Sequence, residues 1–205
     1  DIGSGNTKGG YFPYGNTKNF KLFQLSWGTK STTNAAEKRA DGDNSLGNFD
    51  KNLNRVLLGA ENSEIIYAVN ESGSYPLSDN VVFSGGIAWA LATLMYPELI
   101  DNPVVPVTYD EVLKFNEKIL NSHSTLSDYY IVNTLTDNTL DKAAIGKAVK
   151  TVNKVFDQRA LLGGTGLMLK IMRQFQSTQD RKNFYFVKNG AVGWISAYVN
   201  QNTSK

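Results

Sequence analysis

At residues 81–88 the chain reads Val81-Val82-Phe83-Ser84-Gly85-Gly86-Ile87-Ala88, and it stays apolar as far as Tyr96. The residues before the glycine pair predict a buried strand, and the stretch after it, apolar on nearly all sides, predicts a buried helix. A similar unit lies further along, where a run at 158–162 precedes Gly163-Gly164 and an apolar helix at 167–175. Strands alternating with helices indicate an α/β domain.

The first part of the chain predicts a β-hairpin within residues 8–27. Lys18 to Trp27 alternates as a strand does, with a one-residue slip between Leu22 and Phe23 that indicates a bulge. Tyr11 to Tyr14 is the expected partner. With strands near 80–84, 158–162 and 183–188, the hairpin predicts a mixed sheet flanked by helices.

Two further segments predict amphipathic helices. Thr108 begins the first as its cap, with Glu111 in the capping-box position and Val112, Phe115 and Ile119 on one face. The second runs from Leu140 to Phe156. Lys188-Asn189-Gly190 is expected either to turn a hairpin or to lead into a last helix that carries Trp194, Ile195 and Tyr198. No long low-complexity linker divides the chain, so residues 1–205 are expected to form a single domain.

Composition excludes several classes of protein. The 205 residues carry 21 Lys and Arg against 19 Asp and Glu, a net charge of +2 that argues for neither nucleic-acid nor membrane partners. The chain has no cysteine and one histidine, His123, so thiolate metal sites and sites of several histidines are excluded. No Ser/His/acid set emerges from the spacing, and the catalytic residues stay unknown.

The glycine-rich opening is the strongest chemical signal. Gly3 and Gly5 allow close backbone approach, and Ser4, Asn6 and Thr7 add donors for a phosphate. Lys8 adds a positive charge, and Asp1 is a candidate ligand for a metal ion. The opening is neither a signal peptide nor an initiator-methionine start, so we expect a processed or truncated chain.

Ser84, Gly85 and Gly86 are a second candidate phosphate-binding loop, because a helix amino terminus follows them. Ligands of α/β sheets gather at strand carboxyl ends. Both glycine loops are therefore expected to face one cleft.

The order of these motifs resembles a known family. Asp1 to Thr7 resembles the second phosphate loop of the actin-like ATPase superfamily, and four later motifs are similar to those of its exopolyphosphatase/guanosine-pentaphosphatase family. They are the strand end Leu25-Ser26-Trp27-Gly28-Thr29, the glycine exit at Val81 to Ala88, the arginine-alanine strand and glycine turn from Gln158 to Leu167, and the closing strand, turn and helix from Phe184 to Trp194.

The resemblance implies a ribonuclease-H-like (actin-like ATPase) domain that is the second half of a two-domain cytoplasmic phosphohydrolase. The implied substrate, polyphosphate or guanosine pentaphosphate, binds between the domains with Mg²⁺. The family's catalytic glutamate belongs to the first domain, so residues 1–205 alone are expected to be inactive. The missing amino-terminal domain and a second copy of the chain are the expected protein partners.

Departures from the family pattern leave two alternatives open. Lys8 stands where the family loop has an acidic residue, Ser4 and Asn6 also depart from it, and Ala191-Val192 replace an arginine-glutamate pair before Gly193. One alternative is a degenerate domain that binds without catalysis. The other is an actin-like filament or scaffold protein that binds a nucleotide.

Overall fold

The computed structural model describes residues 1–16, 18–73, 79–176, 181–188 and 190. Its strands in this part of the chain are β1 (Thr7–Tyr11), β2 (Lys21–Leu25), β3 (Asn80–Phe83), β4 (Val104–Val107) and β5 (Asn183–Val187). Its helices are α1 (Thr29–Glu37), α2 (Leu46–Ala60), α3 (Ile66–Ser72), α4 (Gly86–Met95), α5 (Tyr109–Ser122), α6 (Asp128–Thr134), α7 (Lys142–Val155) and α8 (Gln158–Phe175). A π-helical turn, Glu61–Ile65, joins α2 to α3.

The protein is α/β, with a mixed sheet flanked by helices, as the sequence predicts. The sheet has the order β3-β5-β4, in which β3 is parallel to β5 and β4 is antiparallel to it. Side chains alternate across it: Val81 and Phe83 are buried, whereas Val82 between them is 55% exposed. Within the described ranges, no helix is long and apolar enough to cross a membrane.

The predicted hairpin forms as a separate two-stranded unit. β1 pairs with β2 antiparallel, in an uninterrupted register from Thr7–Leu25 to Tyr11–Lys21. The predicted bulge is therefore wrong, and the strand partner is Thr7–Tyr11 rather than Tyr11 to Tyr14. The apparent slip in the sequence arises because Leu22 is exposed while Leu25 is buried against the helices.

Asp1 and Ile2 connect the hairpin to the mixed sheet. On one side, the Asp1 nitrogen donates to Lys8 O at 2.7 Å and the Asp1 carbonyl accepts from Lys8 N at 2.9 Å. On the other side, Ile2 N donates to Ser84 O at 3.0 Å, just beyond β3. Backbone hydrogen bonds thus run from β2 through residues 1–2 to β3.

The predicted strand at 158–162 is wrong, because this segment is the first part of α8. The Asp157 side chain accepts a hydrogen bond from Ala160 N at 2.8 Å and so caps a helix there. Leu161, Leu162 and Leu169 recur at helical rather than alternating spacing, and all three are buried. The helix continues through the glycines without a break.

Close packing explains how α8 tolerates its glycines. A Cβ on Gly163 would overlap the Thr33 hydroxyl, and one on Gly164 would lie 2.7 Å from Ile87 Cγ1. Glycine in a helix interior costs about 0.5–1 kcal/mol relative to alanine. Here the absent methyl groups let α1 and α4 pack directly against the α8 backbone.

The remaining helix predictions that fall on described residues are confirmed. α4 covers nearly all of the apolar stretch after the glycine pair, and α7 buries Ile145, Val149 and Val152. Strand β4 was not predicted. The predicted last helix and the Ala191-Val192-Gly193 motif lie outside the described residues.

Helix α5 has the predicted capping box and buries the three predicted side chains. Thr108 Oγ1 accepts from Glu111 N at 3.2 Å, and Thr108 N donates to Glu111 Oε2 at 2.8 Å. Desolvation raises the pKa of the Glu111 carboxyl, but the Thr108 hydrogen bonds outweigh it and leave the pKa below its ordinary value.

We expect Thr108→Ala to lower the free energy of unfolding by about 1 kcal/mol, because it leaves a helix donor without its cap. Urea denaturation measures this loss. Thr108→Ser keeps the hydroxyl and should stay close to the parent. A serine variant as unstable as the alanine variant would show that the methyl group, not the cap, matters.

Candidate functional site

The glycine-rich opening folds into a tight turn between Ile2 and Thr7. Ile2 and Thr7 form an isolated antiparallel bridge, and inside it Gly3 N donates to Asn6 O at 2.9 Å. Ser4 and Gly5, at the tip of the turn, are exposed. The predicted phosphate loop is therefore a closed, hydrogen-bonded turn rather than an unpaired chain end.

The amino terminus of α1 holds this turn from behind. Thr29 N donates to Gly3 O at 2.9 Å, and Lys30 N donates to Ser4 O at 2.7 Å. Ser31 N adds a bond to Ser4 O at 3.1 Å. The first amides of a helix have no partner within the helix, so the turn's carbonyl oxygens satisfy donors that otherwise need a cap.

Gly28 makes this contact possible. A Cβ at Gly28 would lie 2.6 Å from both Gly3 O and Asn6 N, and 2.8 Å from the Ser4 carbonyl carbon. These are backbone atoms, which cannot rotate away from the new methyl group as the end of a side chain can. A glycine before α1 is thus needed for the helix to approach the turn.

This arrangement leaves amide donors on the outer side of the turn. The Ser4 and Gly5 amides donate to no atom of the described residues, whereas the carbonyls of both residues accept bonds from α1. Backbone donors in native structures are almost always paired, with protein, water or a ligand. Two adjacent free amides on an exposed turn suit the oxygens of an anion such as phosphate.

Not every residue of the predicted loop reaches this outer side. The Thr7 hydroxyl donates to Trp27 O at 2.7 Å, and Thr7 is only 4% exposed. The Asn6 nitrogen lies beside Gly28. Thr7 and Asn6 therefore support the base of the turn.

Ser84 and Gly85 lie beside Ile2, at the base of the same turn, and Gly86 follows them. The Ser84 hydroxyl donates to Asp1 Oδ2 at 3.0 Å, and the Ser84 carbonyl accepts from Ile2 N. Gly85 has φ +100° and ψ 176°, a conformation open to glycine alone. Its sharp turn starts α4 directly after β3.

The α4 amino terminus adds further donors at this place. The Gly86, Ile87 and Ala88 amides precede the first helical bond, which Trp89 N makes to Gly85 O, and Gly85 provides no capping side chain. Anions bind well at such helix ends. Gly190 also packs here, since its Cβ would lie 2.6 Å from Ser84 Cβ.

An open cleft of about 410 Å³ is lined by Ser4 of the turn and by Gly86 at the α4 amino terminus, whereas Gly5, Ser84 and Gly85 do not line it. Gly3, Ser4 and the polar side of α1 line one wall, and Gly86 and Ile87 line another. Val155 and Phe156 contribute apolar surface. The cleft thus joins anion-binding backbone to a surface that suits an apolar or aromatic group.

Charges around the cleft are mixed. Lys30 lines it as a cation, together with Glu37 and Asp157. Arg159 lies at the rim, where its guanidinium pairs with Glu37 at 3.3 Å, donates to Asn44 O and covers the Phe49 ring at 5.3 Å. Arg159 therefore joins α8 to the α1–α2 connection.

Asp1 is the predicted metal ligand. Its carboxylate accepts from the Ser84 hydroxyl, and Asp1 lines a groove between β1 and β3 rather than the cleft. In the described residues no three His, Asp or Glu side chains form a metal-binding cluster. Mg²⁺ often takes only one or two carboxylates and completes its shell with water and substrate phosphates. A single carboxylate is enough for that mode of binding.

Comparison of the sequence with protein-family models gives no match, and comparisons with curated proteins and with solved structures give none either. The site must therefore be interpreted from its own geometry. That geometry includes Gly28 and the α1 amino terminus, which sequence reasoning missed as functional. The available signal was a glycine between a strand and the Thr/Ser-rich start of a helix.

Proposed function

We propose that this chain is the phosphate-binding half of a phosphohydrolase that acts on inorganic polyphosphate or guanosine pentaphosphate, of the exopolyphosphatase/guanosine-pentaphosphatase type. One observation carries the proposal: Ser4 of the turn and Gly86 at the α4 amino terminus line one cleft, and the amides of both have no partner among the described residues. The ordered family-like motifs support it. In this proposal the protein works in the cytoplasm with an amino-terminal domain that completes the cleft.

The backbone connection through Asp1 and Ile2 supports a ribonuclease-H-like fold for this half. Such a domain needs its opening hairpin and its later strands in one mixed sheet. Residues 1–2 bond to β1 on one side and to the end of β3 on the other. They lie where a shared central strand would run.

Substrate phosphates would be bound and oriented by the Ser4, Gly5 and Gly86 amides. Mg²⁺, held by Asp1 and by the phosphates, would neutralise their negative charge. Ser84 would keep the Asp1 carboxylate in place through its 3.0 Å hydrogen bond. Activation of the attacking water is a task that we assign to a catalytic group of the other domain.

The binding test is calorimetry with pyrophosphate on the 205-residue chain. Gly5→Val should lower the affinity at least roughly tenfold, about 1.4 kcal/mol, because a branched side chain blocks access to the amides. Gly5 does not have positive φ, and a Cβ there meets nothing within 4 Å. The substitution should therefore leave the fold intact.

Two matched variants complete this test. Ser4→Ala keeps the backbone amide and should bind like the parent. Lys8→Ala removes an exposed charge and should weaken binding only about threefold. If Gly5→Val binds like the parent, the turn has a structural role only and the proposal fails.

We also expect the isolated chain to release negligible phosphate from polyphosphate or guanosine pentaphosphate. The reason is that the proposal assigns the group that activates water to the other domain. Phosphate release by purified chain, compared with a mock purification, measures this. Robust turnover that Gly5→Val abolishes would place the catalytic group in this half.

A second candidate, an actin-like nucleotide-binding protein, is favoured by the apolar wall that Ile87, Val155 and Phe156 give the cleft. Such a wall makes no favourable contact with inorganic polyphosphate, but it would pack against a base or ribose. Comparing the affinities for pyrophosphate, GDP and ADP distinguishes the two. If ADP and GDP both bind much more tightly than pyrophosphate, the second candidate is supported. If only GDP does so, the guanosine substrate of the first candidate is supported.

A further inference from the structure

The end of the β1–β2 hairpin exposes several large apolar side chains. Phe12, Tyr14 and Phe20, in the connection between the two strands, are 46%, 91% and 42% exposed. The Phe12 and Phe20 rings pack on each other with their centroids 5.0 Å apart. Single apolar side chains on a surface are ordinary, whereas a group of them at one place marks an interaction site. These three residues, with Lys18 and Lys21, are called the hairpin tip below.

Tyr14 has a backbone conformation that tyrosine disfavours. Its φ of 53° and ψ of 29° lie in the left-handed region, which glycine and asparagine adopt more readily. Because its ring is almost fully exposed, packing against the rest of the protein does little to offset the strain. The fold therefore gives no reason for a tyrosine at this position, and a backbone outlier of this kind points to a function.

The hairpin tip is basic as well as apolar. Residues 2–36 contain four lysines and no aspartate or glutamate, so acidic residues outnumber basic ones in the rest of the chain. Lys18 and Lys21 are exposed, and neither forms an ion pair within the described part of the chain. The net charge of the whole chain, +2, therefore conceals a local positive charge at the tip.

Acidic neighbours of the hairpin lie along β2. Glu64 and Glu71 line a groove there together with Leu22, whereas Phe12, Tyr14 and Phe20 do not line it. The Tyr11 hydroxyl donates to Ser72 O at 2.7 Å and so joins the hairpin to the end of α3. The hairpin tip, rather than this groove, is thus the part that suits a negatively charged surface.

We propose that the hairpin tip binds the surface of an anionic lipid bilayer. The aromatic side chains would enter the interfacial region, and Lys18 and Lys21 would contact acidic headgroups. Peripheral proteins bind membranes by this combination of apolar burial and electrostatic attraction. The turn at residues 3–6 precedes β1 and the hairpin tip follows it, so the tip and the candidate phosphate site lie at opposite ends of this strand. The inference does not depend on the proposed function.

The packing of the aromatic rings favours a bilayer over single-stranded nucleic acid. Nucleic-acid bases stack on the free faces of aromatic side chains. The Phe20 ring contacts Phe12, and a Cβ on Gly10 would overlap it, so the ring also lies close to the β1 backbone. Rings packed in this way are poorly placed to stack separate bases. A bilayer interface requires only exposed apolar surface next to positive charge.

Co-sedimentation of the 205-residue chain with lipid vesicles tests the proposal. One set of vesicles contains phosphatidylcholine alone, and the other contains equal parts of phosphatidylcholine and phosphatidylserine. We expect binding to the mixed vesicles to be roughly tenfold or more tighter, because two lysines would lie near the anionic surface. Lys18→Gln should weaken binding to the mixed vesicles about fivefold.

Tyr14→Asn separates loss of binding from loss of folding. It should weaken binding to the mixed vesicles at least roughly fivefold, because it removes an aromatic side chain that would be buried in the interface. Asparagine tolerates the left-handed region, so the melting temperature should not fall. Tyr129→Asn and Lys150→Gln, at exposed positions in α6 and α7, are the matched controls and should bind vesicles like the parent.

A fluorescent label shows which part of the protein meets the lipid. The chain has no cysteine, so Asn19→Cys and Tyr129→Cys each create a single site for an environment-sensitive fluorophore. The emission of the label at residue 19 should shift to shorter wavelength with the mixed vesicles, and that of the label at residue 129 should not. Equal shifts of the two labels would overturn the assignment to the hairpin tip.

Other results would also overturn the proposal. They are equal binding to the two kinds of vesicle, binding to neither, and a Tyr14→Asn variant that binds like the parent. Loss of vesicle binding in Gly5→Val would place the headgroups in the candidate phosphate site instead. Tighter binding of single-stranded RNA than of vesicles, abolished by Tyr14→Asn, would assign the hairpin tip to nucleic acid. Pyrophosphate affinity is measured separately and should be unchanged in Tyr14→Asn, so this proposal and the proposed function can fail independently.

Discussion

Gly85→Ala is expected to lower the free energy of unfolding by about 3 kcal/mol or more, through backbone strain and a steric clash that add together. An alanine at φ +100° and ψ 176° is strained even if its methyl group has space around it. Here it has none, because its Cβ would overlap the Ile2 carbonyl oxygen and lie 3.0 Å from Ile2 C and N. Ile2 cannot give way easily, since its amide bonds to Ser84 O.

Urea denaturation with a matched control tests this expectation. Gly47 lies inside α2, has no positive φ, and a Cβ there meets nothing within 4 Å. Gly47→Ala should therefore raise stability by about 0.5–1 kcal/mol, the usual gain from alanine in a helix. A Gly85→Ala variant as stable as the parent would contradict the tight junction between residues 1–2 and the β3 exit.

Gly28→Ala is expected to cost about 2–3 kcal/mol of stability and, in addition, to weaken pyrophosphate binding at least roughly tenfold. The new methyl group would lie 2.6 Å from Gly3 O and Asn6 N, so α1 and the turn must separate. Separation breaks the bonds from Thr29 and Lys30 that hold the turn's carbonyls inward. Once free to rotate, the Ser4 and Gly5 amides lose their common orientation.

The control for this variant is Gly59→Ala, in the last part of α2, where a Cβ again meets nothing within 4 Å. It should bind pyrophosphate like the parent. Affinity is measured by calorimetry at a temperature where all variants are folded. A Gly28→Ala protein that loses stability but keeps its affinity would show that α1 does not position the amides.

Local signals in the sequence predicted the helices well and the sheet only in part. Thr108 and Glu111 define a helix start within four residues, so their capping box could be found without knowing the fold. α8 was misjudged because Gly163 and Gly164 look like a turn, while their actual reason lies in Thr33 and Ile87, distant in the sequence.

Strand β4 was missed because Pro106 lies within it and Pro103 just before it. The sheet tolerates Pro106 because β4 is an edge strand, where a residue without an N–H can face away from its neighbour. Edge position is a property of the assembled sheet and cannot be deduced from residues 103–107 alone.

The site shows the same division between local and distant causes. Gly3, Ser4 and Gly5 were predicted because a glycine-rich turn is visible within a few residues. The part played by α1 was not, since it depends on hydrogen bonds between Thr29 or Lys30 and a turn some 25 residues earlier. The strand-end rule predicted that the loops at 3–7 and 84–86 face one cleft, and Gly3, Ser4 and Gly86 are the residues of these loops that line it.

The glycines in the middle of α8 have a consequence for ligand recognition. They bring the backbone of α8 against Thr33, so any tilt or shift of α1 would disturb a close contact in the protein interior. Since α1 holds the turn by three backbone hydrogen bonds, the packing of α1 against the protein interior also restrains the turn. A ligand would then bind to donors that are already fixed in direction, so its binding free energy would not include the entropy cost of ordering them.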